Sequence, residues 1–244
     1  MNKQPKLVLR GSAVRDMTKH LPPGSFVEMG AGTGHMASIF LERGFHGAHH
    51  DLGESSWKMI WKRFDHCLEK IQVVDELHEL PKNSFDYLLA FEVLEHIEED
   101  QKVLREWLEY LKPGGLVISS VPAHQRKYSR SDEIVGHVRL YEKTDFHALL
   151  GSNGLQDIQI INYGYPITEL TRTLSNRMIA SEKGYNILDQ QQRSILSAQS
   201  QPQAVRKTLS LVSGRIVTPF RYVQRWFYSK ALGDGLVATA RRPT

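Results

Sequence analysis

Three glycines at alternate positions, in Val27-Glu28-Met29-Gly30-Ala31-Gly32-Thr33-Gly34-His35, are the residues whose spacing speaks most directly of chemistry. They follow a short apolar run, Ser25 to Met29, and precede Met36, Ile39 and Phe40 at helical steps. Glycine accepts positive φ and lets a ligand approach bare backbone. The free N–H groups at the start of the next helix suit a carboxylate or phosphate. A dinucleotide fingerprint, G-x-G-x-x-G, would need glycine where His35 stands, and no G-K-[ST] phosphate loop occurs. An acid inside the strand just before the turn, Glu28, is foreign to both motifs.

Such a turn needs a sheet to hold it. Short apolar runs predict strands at 25–29, 45–50, 71–74, 85–91, 116–121, 157–163 and 235–240. Helical periodicity predicts helices at about 35–43, 55–69, 98–111 and 143–151. Ser55 or Ser56 is expected to cap the second of these. Leu111-Lys112-Pro113-Gly114-Gly115 is expected to stop the third. Strands alternating with helices predict an α/β fold, a mostly parallel sheet with helices on both faces. Ligands of such sheets sit at the carboxyl ends of the strands, near the switch in strand order. Residues 165–232 break the rhythm, turning rich in Gln, Ser and Arg around 189–204. The expected organisation is one domain over 1–244: a core of 20–164 plus a last strand at 235–241, with a helical insertion or lid at 165–232.

At Glu28-Met29-Gly30-Ala31-Gly32-Thr33-Gly34 the chain resembles the class I S-adenosylmethionine-dependent methyltransferases, whose first motif is an acid, one residue, then G-x-G-x-G. The resemblance continues in order over about 25–165. It implies a Rossmann-like fold with a seven-stranded sheet, and S-adenosylmethionine as cofactor with S-adenosylhomocysteine as product. By that resemblance the cofactor meets Glu28, Gly30, Ala31, Gly32, Thr33 and Gly34. Asp51 with Leu52 falls where an acid bonds the ribose hydroxyls, and Asp75 with Glu76 where one lies near the adenine amine. Phe91-Glu92-Val93 belongs to the fourth-strand motif. The chemistry agrees for Asp51, since a carboxylate accepts a diol's hydrogen bonds well. Asp86 reads as structural and Glu95 as part of a solvated helix start.

Beyond the fifth strand, Val121-Pro122-Ala123-His124 and Gly136-His137-Val138-Arg139-Leu140-Tyr141 resemble a small-molecule branch associated with sugar, lipid or quinone pathways. A loop dense in His, Arg and Tyr at this end of the sheet is where an acceptor would sit. An alcohol or phenol acceptor must lose a proton, and histidine titrates near the right pH. His124 and His137 are therefore the candidate bases; the blander readings make His124 a solvated residue and His137 a loop anchor. His96, Arg139 and Tyr141 are candidate acceptor-side residues. The expected activity is methyl transfer to a small molecule, preferentially at oxygen. The alternatives are an RNA or protein methyltransferase, or a noncatalytic partner protein of the same fold.

The net charge of +4 is unevenly spread. Residues 195–244 hold eight basic side chains and one acid, net +7, against 23 basic and 26 acidic residues before them. From Val205 to Phe227 apolar residues recur at helical steps among Arg206, Lys207, Arg215, Arg221 and Arg225. Residues 205–232 are thus a candidate lid, or a peripheral contact with lipid; a nucleic-acid partner is disfavoured. A single cysteine, Cys67, no apolar run of 18 residues and no apolar leader point to a cytoplasmic protein, at most peripheral at the inner face of a membrane. His46, His49 and His50 cluster without acidic or thiolate partners at ligand spacing, so no metal is expected.

Overall fold

The computed structural model describes residues 5–51, 53–170, 172 and 217–244. In chain order the elements are α1 (Pro5–Thr18), β1 (Ser25–Met29), α2 (Ser38–Leu41), β2 (His46–His50), α3 (Glu54–Arg63), β3 (Ile71–Val74) and β4 (Phe85–Phe91). They continue with α4 (Asp100–Leu108), β5 (Leu111–Pro122), α5 (Arg130–Val135), α6 (Lys143–Ser152), β6 (Gln156–Tyr163), α7 (Phe220–Val223) and β7 (Gly235–Arg241). The strands form one sheet in the order β3-β2-β1-β4-β5-β7-β6. The first five pair in parallel, and β7 is antiparallel to both β5 and β6. The chain winds outward from β1 to β3, then returns to place β4 on the other side of β1. Their carboxyl ends therefore diverge into a crevice.

Alternation along the strands feeds two cores. Val27, Met29, Leu88 and Ala90 pack on one face with Leu104 and Trp107 of α4 and Phe146 and Leu150 of α6. Phe26, Tyr87, Leu89 and Phe91 point the other way, against Leu9 and Val14 of α1, Phe40 of α2 and Ile60 of α3. Central strands covered on both faces must be apolar throughout, which explains the near-continuous apolar run of β4.

Several boundaries differ from the sequence expectation. Helix α1 carries no clear helical signal in the sequence; its buried residues include Gly11, Ser12 and Ala13, which blur the apolar stripe. Regular helix after the glycines is confined to Ser38–Leu41, because Gly34 takes φ +67 and lies so close to Phe64 that a Cβ would meet its ring at 2.7 Å. Helix α3 starts at Glu54 with Gly53 in the capping position, not Ser55 or Ser56. Pro113 and Gly114 do not stop α4, which already ends at Leu108, but lie inside β5. The pairing advances from Phe85–Leu111 to Tyr87–Leu116, so the extra residues bulge, with Gly114 at φ +75.

Of the 165–232 stretch, Gln224 to Tyr228 dock on α1, while Glu169 and Arg172 meet Lys127 and Asp132 beyond β5. Gln224 donates to the Leu9 carbonyl at 3.1 Å, and Arg225 and Tyr228 both hold Asp16, each at 2.8 Å. The Gln-rich 189–204 and the first part of the basic 205–232 segment lie outside the described residues. Among the described residues no helix is long and apolar enough to cross a membrane.

Candidate active site

The glycine turn sits at the carboxyl end of β1, and all three glycines have positive φ: +62, +53 and +67 at Gly30, Gly32 and Gly34. Their reasons differ. A Cβ on Gly30 would collide with Val93 Cγ2 at 2.6 Å, so this glycine lets the ends of β1 and β4 come together. A Cβ on Gly32 would meet no protein atom within 4 Å, so this position presents bare backbone outward. Ala31 N–H donates to the His50 carbonyl at 3.2 Å, and the Thr33 carbonyl accepts from Arg63 Nε at 2.6 Å, which ties the turn to β2 and α3.

Asp51, directly after β2, accepts the Gly32 N–H at Oδ2, 2.7 Å. Its own carbonyl accepts from the Trp57 indole at 2.9 Å. Leu52 lies outside the described residues. Asp75 and Glu76 follow β3 and are exposed; Glu76 caps the short turn Leu77–Glu79. Glu28 is buried, and His49 Nδ1, its register partner on β2, lies 2.9 Å from its carboxylate. The Phe91 side chain stacks on Phe40 in the core, while Val93 touches the glycine turn.

Glu92 departs furthest from the simple expectation. It has φ +58 and lies among Lys6 at 2.7 Å, Arg10 at 3.3 Å, and the hydroxyls of Ser120 at 3.1 Å and Tyr163 at 3.4 Å. Burial alone would raise its pKa, but the charges of Lys6 and Arg10 outweigh it and hold the carboxyl well below the ordinary range. Lys6 and Arg10 come from α1, and nothing in the sequence pattern linked them to this site.

Glu95, one turn on, is fully buried rather than solvated. Neither of its carboxylate oxygens finds a hydrogen-bond partner among the described residues. Burial, with the neighbouring charge of Glu92, pushes its carboxyl well above the usual range. His137 Nε2 faces it at 3.8 Å, and the His96 and His137 rings meet edge to face at 4.9 Å. His96 is pushed down to about 4 by burial and by the His137 charge. His137 Nδ1 is 3.1 Å from Asp132, and His96 Nδ1 is 3.1 Å from the Gly136 carbonyl.

The remaining predicted residues are braced. His124 is buried, not solvated: Nδ1 lies 3.0 Å from Glu142 and Nε2 3.4 Å from the Asn162 amide. Arg139 donates to Asp100 at 2.8 Å and to the Glu98 carbonyl at 2.7 Å, and the Tyr141 hydroxyl reaches the same Asp100 at 2.7 Å. These two side chains fasten the loop after β5 to the start of α4. A shallow depression of about 580 Å³ borders them, lined also by Asp145 and Ser152, and does not include the glycine turn.

An open α/β sheet with a glycine-rich turn at its switch point defines a Rossmann-like fold of the methyltransferase type. A family profile described as a methyltransferase domain matches residues 7–160, and the chain belongs to that family. Solved structures agree in fold. Phosphoethanolamine N-methyltransferase 2 of Haemonchus contortus, solved with S-adenosyl-L-methionine, superposes with a TM-score of 0.60 at 18% identity over 96% of this chain and 52% of that one. The chain thus spans about half the length of that enzyme. A SAM-dependent methyltransferase from Archaeoglobus fulgidus gives 0.57 at 15% identity, covering 98% of this chain and 94% of that one. The [4+2]-cyclase SpnF gives 0.58 at 15% identity, covering 96% and 80%. No curated protein matches the chain.

Proposed function

We propose that this protein transfers a methyl group from S-adenosylmethionine to a small-molecule acceptor, preferentially at an oxygen of a sugar-, lipid- or quinone-like metabolite or a natural product. The observation that carries this is the Gly32–Asp51 contact at the β1–β4 crevice in a chain of the methyltransferase-domain family. The residues fit the cofactor: Gly32 offers open backbone, and a carboxylate that accepts one bond from Gly32 N–H is oriented while keeping lone pairs for a diol. Bound there, S-adenosylmethionine supplies a methyl group on a cationic sulfur. The ends of β1 and β4 position it, and Asp75 and Glu76 lie beyond β3 for its base.

A hydroxyl acceptor must also lose its proton. We assign that task to the Glu95, His96 and His137 group rather than to His124, whose ring nitrogens are both engaged. Arg139 and Tyr141 hold the loop in place rather than touching the acceptor. Exposed Tyr222 and Trp226, beside Arg221 and Arg225, support a lipid-linked acceptor; vesicle binding that is lost in Trp226→Ser would bear this out.

Calorimetric titration with S-adenosylmethionine and S-adenosylhomocysteine tests the cofactor, with saturable binding expected. No binding of either overturns the reading. A metabolite screen with isotopically labelled methyl donor then identifies the acceptor.

A further inference from the structure

We infer that Glu95, His96 and His137 form a binding site for one divalent first-row transition-metal ion. Each contributes one donor atom, and the three atoms lie within 4.8 Å of one another. The sequence expectation of no metal rested on His46, His49 and His50; the fold assembles a different set, across 42 residues of chain, when Val138 N–H docks on the Glu95 carbonyl at 2.8 Å.

Three features point to a cation rather than a chance cluster. First, Glu95 is fully buried with both oxygens lacking a hydrogen bond among the described residues, although an unpaired buried carboxylate is costly. Second, each histidine has its far nitrogen fixed. His96 Nδ1–H donates to the Gly136 carbonyl and His137 Nδ1–H to Asp132, so in the neutral form of each ring Nε2 carries the lone pair. That outer arrangement of carbonyl and carboxylate behind imidazole is the one that orients metal-bound histidines. Asp132 is itself anchored by Ser129 N–H at 2.9 Å and Arg172 at 3.0 Å. Third, His137 Nε2 and Glu95 Oε1 face each other at 3.8 Å, two electron-rich atoms with room for a positive species between them.

The donor set chooses the ion. Two imidazoles and one carboxylate suit zinc, iron, cobalt or manganese, whereas magnesium and calcium prefer all-oxygen sites. Metal–ligand bonds of about 2.1 Å mean that the side chains draw together on binding. Three protein ligands leave positions open for water or an acceptor oxygen, and an oxygen on such an ion loses its proton more readily. That catalytic role rests on the methyl-transfer reading; the binding itself does not.

The test uses the full chain stripped with EDTA and titrated with Co²⁺ by visible absorption and with Zn²⁺ by calorimetry. One ion per chain is expected, with ligand-field bands showing nitrogen and oxygen coordination. Glu95→Gln and His137→Asn should each weaken binding by about 100-fold, and Asp132→Asn by about 10- to 100-fold through loss of orientation. Circular dichroism checks that each variant folds, and the wild-type titration needs no variant. Absence of one-to-one binding, or unchanged affinity in folded Glu95→Gln and His137→Asn, overturns the site. Cofactor titration of the stripped chain is read separately: cofactor binding without metal binding removes this inference alone, and metal binding without cofactor binding removes the methyl-transfer reading alone.

Discussion

Glu92 and Glu95 stand three residues apart after β4 and occupy opposite electrostatic surroundings. Lys6 and Arg10 flank the first, at 2.7 and 3.3 Å. The second is buried without a hydrogen-bond partner among the described residues. A single turn of chain thus sets an ionised carboxylate beside one that burial pushes toward its neutral form.

The Glu92 cluster gives stability a defined pH window. Its carboxyl is held low, so its contribution is present above about pH 4.3, the ordinary carboxyl value, and is lost as pH falls toward the folded value. Lys6 is held high by Glu92, although burial works against it, so its contribution is complete below about pH 10.4 and is lost as pH rises through the folded value. Glu92→Gln should cost about 2 kcal/mol at pH 7, less than a fully buried pair because Lys6 remains 35% exposed. Urea unfolding of both proteins at pH 7 and pH 3.5 should show the difference shrinking in acid.

Gly30 and Gly32 should respond differently to alanine. Gly30→Ala combines positive-φ strain with a 2.6 Å clash on Val93, and should lower stability by about 3 kcal/mol. Gly32→Ala meets no protein atom and should cost only about 1 kcal/mol, yet weaken cofactor binding at least about tenfold by placing a methyl group on the open backbone. Thermal melts paired with calorimetry separate the two effects. Equal binding by Gly32→Ala and wild type would argue that the ligand lies elsewhere.

Asp51→Ala should keep the fold and reduce cofactor affinity about 10- to 100-fold, the scale of a charge-assisted hydrogen bond. Asp51→Asn should lie between the two, since its amide oxygen can still accept from Gly32. A titration series of the three proteins gives the order.

Tyr141→Phe removes one of the two donors to Asp100 Oδ2 and leaves Arg139 in place, with Gln101 N–H still on Oδ1. A loss of about 1 kcal/mol in stability with unchanged cofactor affinity is expected. A large fall in methyl transfer with unaltered stability would instead place Tyr141 against the acceptor.

The strands and the glycine turn were legible because their signals are local. An apolar run bounded by glycine marks β1 and β4 wherever they end up in the sheet. The surroundings of Glu92 were not legible, because Lys6 lies 86 residues away in a helix whose buried face includes small residues. Glu95 sits in a run reading Glu95-His96-Ile97-Glu98-Glu99-Asp100, which looks solvated until the 136–141 loop covers it. His124 looked available for the same reason: Glu142 and Asn162 reach it only through tertiary contact.

The position of β7 has a consequence for how the chain is made. β6 pairs with β7, which in turn is what joins it to β5. The 71 residues between Tyr163 and Gly235 must therefore leave the ribosome before β6 has a strand to pair with. Until then β5 presents an unpaired edge to the cell, an invitation to mispairing in the nascent protein. Completion of the sheet is thus a late event in synthesis, and expression yield should depend on the speed of that last stretch and on chaperones that shield the edge meanwhile.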